Sequence, residues 1–494
     1  MKKIAAVLAL LLCLTVQRAF ALEMTGLETE SVTREWESSA FFTRMEALTG
    51  VHVDAQAVYE KADYQKLLER LMRGETVADA LFKAELTREQ ETALLDAGAI
   101  IDLAPLIDEH MPNLSALLAE HPEWREVMTL EDGRIASLPL LNEGERQVCV
   151  WINRAWLEKL GLSMPQTVEE LTDALLAIMA GDPNGNGKRD EAGADLIGVY
   201  EMRWLLPYFG IVADDYNLAR DENGEIVFAP EVEGYYDFIS LLVGWTQEGI
   251  LPAEAFTGAH STLTLGSTDD EDETVVSGLV VSIAPYTNVP VSATADYDAL
   301  LMPGPDGKTV WRDLLGEVWT GCFAVTSSCS NPGEALAWAD ALYGREGALL
   351  GYAGQEGEDY AFDADGRWTF ITDGARSIND IRSQALMYTG STMPGLAPTE
   401  FLTQVNSEVD VHVLAQNAQV KAVAQRVTQP YCLSSEEQAR ADALSLTLGR
   451  MVDEGIARFA TGEQELTPEA YAAWLDALRE AGSGELAALF AGKN

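Results

Sequence analysis

The sequence predicts an α/β protein of two lobes, on three observations. Short β-rich runs alternate with amphipathic helical stretches. The chain of 494 residues is longer than one hydrophobic core serves. No internal repeat or low-complexity linker divides it, so the lobes must be joined by several chain crossings rather than one tether.

The first residues, Met1, Lys2 and Lys3, precede an apolar run from Ile4 to Val16, then Gln17, Arg18 and the small-residue pattern of Ala19, Phe20 and Ala21. That order predicts a secretory signal peptide, 1–21, cleaved after Ala21. The run is broken before the about 20 apolar residues that a membrane span needs. Cys13 stands behind Leu11 and Leu12 rather than the small pair a lipid-processing site prefers, so an exported chain without an anchor is expected, at the outer face of the membrane or in the periplasm.

Beyond the leader, Phe41 to Leu48 reads as a helix ended by Gly50, followed by a strand at Val51 to Val53. Tyr64 to Met72 is a second helix, stopped by Gly74. Thr167 with Glu170, Asn331-Pro332 with Glu334, Ser434 with Glu437, and Thr467-Pro468 mark helix starts. Ile197 to Tyr200, Leu279 to Ile283 and the stretch from Trp319 through Val325 read as strands. Asn223-Gly224 and Asp365-Gly366 read as hairpin turns, and Asp269 to Glu273 as a solvated acidic loop. The expected organisation places 22–140 in the first lobe with 320–360 returning to it, and 141–319 in the second. A mainly helical part, 361–494, then packs on the second lobe and the hinge.

The formal charge of −46 repels phosphate backbones and anionic head groups, which excludes nucleic acid and membrane surfaces as partners. Cys149, Cys322, Cys329 and Cys432 are too few for a disulfide scaffold. A pairing of Cys322 with Cys329 would need a turn between them, and buried thiols are expected. His52, His110, His121, His260 and His412 are scattered, and neither a His-Glu-x-x-His nor a Gly-x-Ser-x-Gly motif occurs, so the chain is not read as an enzyme.

The segment 182–191 carries the clearest chemistry. Asp182, Asn184, Asn186 and Asp190 fall at positions 1, 3, 5 and 9 of an EF-hand-like loop with Gly187 at position 6, and the Lys188 carbonyl would supply position 7. Position 12 is Gly193, so Glu191 would have to close the shell. Calcium in a structural role is expected, against the alternative of an acidic surface turn. A phosphate-loop reading fails, because Asp182 replaces the first glycine and Arg189 the magnesium-binding hydroxyl.

The segments FFTRMEALTGV (41–51), MPNL (111–114), DGRI (132–135) with Leu138-Pro139, and WINRAWLEKLGL (151–162), followed by the acidic loop and then YAGQEGEDY (352–360) and FATGE (459–463), resemble family 1 extracellular solute-binding proteins of ABC importers. The similarity runs along nearly the whole mature chain, in the carbohydrate-importing branch related to alginate-oligosaccharide binders. That resemblance implies a periplasmic-binding-protein-like type II fold, two α/β lobes around a ligand cleft that closes by hinge motion. It also implies calcium held by Asp182, Asn184, Asn186, Lys188, Asp190 and Glu191, and a monomer that hands an oligosaccharide to importer permease subunits. An exported carbohydrate hydrolase, or a peptide or other nutrient receptor or sensor on the same fold, are the alternatives.

Sugars present apolar CH faces and many hydroxyls, so their sites combine aromatic rings with a few polar groups. Ligands of open α/β sheets bind at strand ends. Trp36, Arg203, Trp204, Tyr208, Tyr286 and Trp319 are the ligand-binding candidates on that basis, while Trp156, Trp245, Trp338 and Trp474 sit among aliphatics at helical spacing and are expected in the core.

Overall fold

In the computed structural model, which describes residues 21–28, 35–142, 147–257, 275–313, 318–372, 374, 376–388, 393–405, 407–428 and 433–493, helix ends fall where local chemistry puts them. Ser39 Oγ accepts the Phe41 amide at the start of Ala40–Thr49, and Gly50 ends that helix at φ 75°, a conformation glycine takes without a Cβ clash. Ser434 and Glu437 form a full capping box before Ser435–Ala460, each side chain accepting the other's backbone amide. Thr167 accepts the Glu170 amide before Val168–Ala180, but the Glu170 carboxylate takes the Gln166 amide, so only half a box forms. Asn331 and Thr467 cap Pro332–Asp340 and Pro468–Glu480, each with proline in the first turn, where its missing N–H has no helical partner to lose. Residues 1–20 of the expected signal peptide 1–21, which include Cys13, and Cys432, His260 and the acidic stretch 269–273 lie outside the described residues.

Two larger sheets, beside three two-stranded ones, organise the described strands that position the candidate site. In chain order these are β1 (Ala21–Leu27), β2 (His52–Val58), β3 (Ala80–Phe82), β4 (Leu138–Leu141), β5 (Cys149–Asn153), β6 (Ala192–Asp195), β7 (Ser277–Ser282), β8 (Tyr297–Ala299), β9 (Val318–Val325) and β10 (Gly395–Leu396). One sheet runs β10-β4-β9-β3-β1-β2 and the other β8-β5-β7-β6. β1 is parallel to β2 and β3, while β9 runs antiparallel to β3 and β4. Gly26 is required within β1, because a Cβ there would sit 1.5 Å from the Phe82 carbonyl oxygen. The expected hairpins form at 218–228 and 360–370. Ile197 to Tyr200 is not a strand: the chain leaves β6 at Asp195, turns at Gly198 (φ 74°) and enters the short helix Gly198–Met202.

The chain divides into two compact units, Met1–Glu143 with Glu317–Leu402 and Gly144–Gly316 with Thr403–Asn494, and so passes between them three times. Residues 361–402 fall in the first unit, whereas the patterning above groups them with the C-terminal helices. The first unit's core joins Trp36, Phe41, Phe42, Phe82 and Trp338, ring against ring at centroid separations of 5.1 to 6.3 Å. The second unit's core includes Trp151, Trp156, Trp245 and Tyr235. Against it the helix Ser435–Ala460 buries Ala441, Leu444, Leu448, Val452, Ile456 and Phe459 along one face. Trp474 is partly buried against the same core. Cys149, Cys322 and Cys329 are free and buried, and burial pushes their thiols up from the ordinary range. No helix among the described residues is long and apolar enough to cross a membrane.

Candidate functional site

In the first unit the carboxyl ends of β1, β2 and β3 share one edge, and the antiparallel β9 begins there. Trp319 lies on that edge, 37 % exposed and paired with Leu140 of β4. Between Trp319 and Phe323 the register shifts in a bulge that contains Gly321 at φ 80°; bulges re-aim side chains and recur beside binding sites. Tyr59, directly after β2, is 48 % exposed on the same edge.

Trp36 is not an accessible stacking ring. It is 1 % exposed, packs against Phe42 and Phe82, and donates its Nε1 proton to Glu28 Oε2 at 2.9 Å. Glu28, at the end of β1, pairs through Oε1 with Lys83 Nζ at 3.0 Å, and both side chains are buried. The polar stretch around Trp36 suggested exposure because this buried carboxylate partner is remote in pattern, not in sequence.

In the second unit β6 and β7 run parallel and end on one edge. Past β6, Tyr200 is 44 % exposed and the Arg203 guanidinium lies 5.7 Å from its ring centroid, a cation–π contact. Arg203 also donates to Asn217 Oδ1. Tyr286, half-buried, follows β7 in the turn Pro285–Thr287. Trp204 and Tyr208 correct the expectation: both are buried in the core, Trp204 near Trp311 and under Arg312, Tyr208 with its hydroxyl on the Leu300 carbonyl at 2.8 Å. In the 3-10 turn Arg203–Phe209, Trp204 through Tyr208 are all buried, while Arg203 at its start is partly exposed. Burial, and secondarily the charge of Asp195, push the Glu201 carboxyl up to about 7, although the Ile197 amide donates to it at 2.6 Å.

The candidate cation loop joins the helix Val168–Ala180 to β6. Asp182 accepts the amides of Gly185 and Gly187, both at 3.0 Å, Asn184 Oδ1 accepts that of Asn186, and Asn186 Oδ1 accepts that of Lys188. Gly185 and Gly187 supply the positive φ angles that wind the loop. The Asn186 and Asn184 amides donate to Asp190 and, with Lys188 nearby, hold its carboxyl below the ordinary range. Glu191 is buried; its Oε1 accepts the Asn184 amide at 3.4 Å and its Oε2 has no hydrogen-bond partner. Among the described residues no three His, Cys, Asp or Glu side chains already gather as a metal cluster. A set of hard oxygen donors with one buried, unpartnered carboxylate oxygen fits a hard cation such as calcium.

By sequence the chain is similar to the fructooligosaccharide ABC transporter substrate-binding protein FusA of Streptococcus pneumoniae serotype 4, 29 % identical over 333 residues, which cover 64 % of this chain and 60 % of FusA. It is 22 % identical over 256 residues to the lipoprotein LipO of Bacillus subtilis, covering 47 % of each. The matched stretches thus span about half to three-fifths of those relatives' lengths. No family model matches. By structure it resembles FusA in complex with kestose (TM-score 0.73, 21 % identity, 95 % of this chain and 98 % of that one) and a human-milk-oligosaccharide-binding solute-binding protein of Bifidobacterium longum infantis (0.79, 21 %, 96 % and 98 %). It also resembles the alginate-binding protein AlgQ2 without calcium ion (0.70, 18 %, 96 % and 98 %). The fold is therefore that of the solute-binding proteins of ABC transporters, as the sequence motifs imply.

Proposed function

We propose that this chain captures a carbohydrate, an oligosaccharide by preference, and delivers it to an ABC importer. The observation that carries the reading is the pairing of half-exposed aromatic rings with polar groups at sheet ends. Trp319 and Tyr59 stand on one unit, and Tyr200 beside Arg203, with Tyr286, on the other. Rings of this kind cover sugar CH faces while guanidinium and carboxylate groups take hydroxyls. The chain crosses between its units three times, which is the connectivity a hinge needs. Export across the membrane and action as a monomer beside permease subunits follow from the same reading.

Calcium in the loop 182–191 is proposed as a structural cofactor. Asp182, Asn184, Asn186, Asp190, Glu191 and the Lys188 carbonyl would hold it, and when bound it would neutralise the carboxylates of the loop and fix the turn into β6. The residues themselves orient that turn through the amide bonds described above.

The test is a thermal-shift screen of the mature protein with calcium present, against kestose, a human-milk oligosaccharide, an alginate oligosaccharide and an N-glycan fragment. Binding to the native state alone raises the melting temperature in proportion to ligand excess. A saturable shift with one class and no cleavage of that sugar is the expected result. Cleavage would establish the hydrolase reading instead, and shifts with peptides but no sugar would replace the carbohydrate assignment.

A further inference from the structure

In a chain with 79 acidic against 33 basic residues, a half-buried guanidinium has carboxylates within easy reach. Among the described residues Arg203 is the one half-buried arginine that makes no ion pair. It lies instead 5.7 Å from the Tyr200 ring centroid, three residues back along the helical surface, and donates through Nη1 to Asn217 Oδ1, its only hydrogen bond among the described residues. Nη1 is the nitrogen on the Cδ side of the guanidinium. The side-on edge, Nε and Nη2, therefore keeps its two parallel N–H groups, the fork that matches a pair of adjacent oxygens. Burial pushes the nearby Asp453 carboxyl up and the Arg203 charge counters part of that rise, yet the two form no ion pair.

Asn217 is built to hold the Nη1 bond. It is 1 % exposed and has a φ of 56°, a left-handed conformation that asparagine tolerates better than most residues and glycine takes without strain. Its amide donates to the Asp214 carbonyl at 3.1 Å and its carbonyl accepts the Ala229 amide at 2.7 Å. The Asp214 carboxylate closes the turn, accepting the amides of Tyr216 at 3.0 Å and Leu218 at 2.9 Å and the Thr428 hydroxyl at 2.9 Å. With both of its main-chain groups bonded, the backbone at Asn217 is fixed. Glycine would serve that backbone as well, and what asparagine adds is the Oδ1 acceptor for Arg203.

We propose that Asn217 is a positioning residue, which by fixing the Arg203 guanidinium against Tyr200 turns the pair into a preformed sugar subsite of the second unit. This rests on the carbohydrate-capture reading. Tyr200, 44 % exposed, would cover a sugar CH face, while the Nε–Nη2 edge of Arg203 takes two adjacent sugar oxygens, either vicinal hydroxyls or a carboxylate. An arginine ordered in advance does not lose its side-chain freedom when the sugar arrives.

The experiment measures affinity by calorimetry and melting temperature in parallel, with whichever of kestose, a human-milk oligosaccharide, an alginate oligosaccharide and an N-glycan fragment shifts the wild type most. It compares wild type, Asn217→Gly, Asn217→Asp, Arg203→Met, Arg203→Lys and the double variant Asn217→Gly/Arg203→Met. Asn217→Gly should melt close to wild type, because relief of the left-handed backbone offsets the greater freedom of the unfolded chain, yet bind about tenfold more weakly. Asn217→Asp, which keeps the acceptor, should recover most of that loss. Arg203→Met should lose at least as much as Asn217→Gly, and Arg203→Lys should lose nearly as much, because an ammonium cannot hold Asn217 and two further oxygens in one plane. The double variant should bind no more weakly than Arg203→Met alone, since Asn217 acts through Arg203. Preference for the alginate oligosaccharide over the neutral sugars would identify the oxygen pair as a carboxylate, and the reverse preference as vicinal hydroxyls; both support the subsite. Wild-type affinity in Asn217→Gly overturns the proposal, as do variants that melt lower but bind as wild type. If Asn217→Gly does not fold, the Arg203 variants decide, and unchanged affinity in Arg203→Met overturns it. A wild-type protein that binds no sugar overturns the functional reading and this proposal with it, whereas sugar binding insensitive to Arg203 and Asn217 overturns only the latter.

Discussion

Glu201 shows how one side chain's surroundings become a measurable property. Its carboxyl is moved from 4.5 to about 7 by burial and by Asp195, so the fold favours the protonated form. Its favourable contribution is complete below about pH 4.5 and is lost as pH rises through about 7. Glu201→Gln keeps an acceptor for the Ile197 amide and removes the charge. Its melting temperature relative to wild type should therefore rise between about pH 5 and about pH 8, and a gap that is flat with pH would show the carboxyl to be unperturbed. Glu201 stands between Tyr200 and the segment that turns Trp204 inward, and that neighbourhood marks the limit of what the sequence discloses about the site. Strand-end reasoning pointed to Trp319, Arg203 and Tyr286, which the fold places at or just beyond strand ends with partial exposure. It could not tell which of the aromatics Tyr200, Trp204 and Tyr208 stays exposed, because that depends on the short helix after Gly198 and the 3-10 turn that follows it. Tyr59 and Tyr200 therefore went unread while buried Trp36, Trp204 and Tyr208 were put forward. A single aromatic directly after a strand and before a charged residue, as Tyr59 is before Glu60, was the available signal.

At the scale of elements, the parts legible in the sequence are those written in short-range chemistry. Caps at Thr167, Asn331, Ser434 and Thr467, and the two Gly-containing hairpins, are all present because each needs only a few neighbouring residues. Ser434→Ala should cost about 1 kcal/mol, read by urea unfolding, because it strips one acceptor from the start of the longest helix and leaves Glu437 to hold the Ser434 amide alone. The misreadings concern long-range pairing. The first strand's register against β2 and β3 is set by contacts 31 and more residues away, and the return of 361–402 to the first unit depends on β10 adding beside β4. Gly26 records that pairing: with the backbone carbonyl oxygen and carbon of Phe82 1.5 and 2.7 Å from where a Cβ would sit, Gly26→Ala forces β1 and β3 apart. It should cost about 3 kcal/mol or more, seen as a lowered urea midpoint or loss of soluble protein.

For the whole molecule, 79 acidic against 33 basic residues leave a net charge of −46, and self-repulsion on that scale opposes compactness in either unit. Because the Debye length shrinks from about 30 Å at 0.01 M to about 10 Å at 0.1 M, sodium chloride should raise the melting temperature over that range. The ion pairs work against this trend, but the best of them, Lys83–Glu28 and Asp359 between Arg44 and Arg376, are largely shielded from solvent and so from screening. A melting temperature that falls with salt would mean that exposed pairs such as Arg440–Glu485 outweigh the repulsion. The same field sets the terms on which calcium must be judged, since any cation stabilises so acidic a chain without a site. Calcium added at constant ionic strength should give a further, saturable rise, and Asp182→Ala with Asp190→Ala should abolish that rise while leaving the sodium response intact. A calcium effect that survives both substitutions would place it in the general ion atmosphere rather than in the loop 182–191.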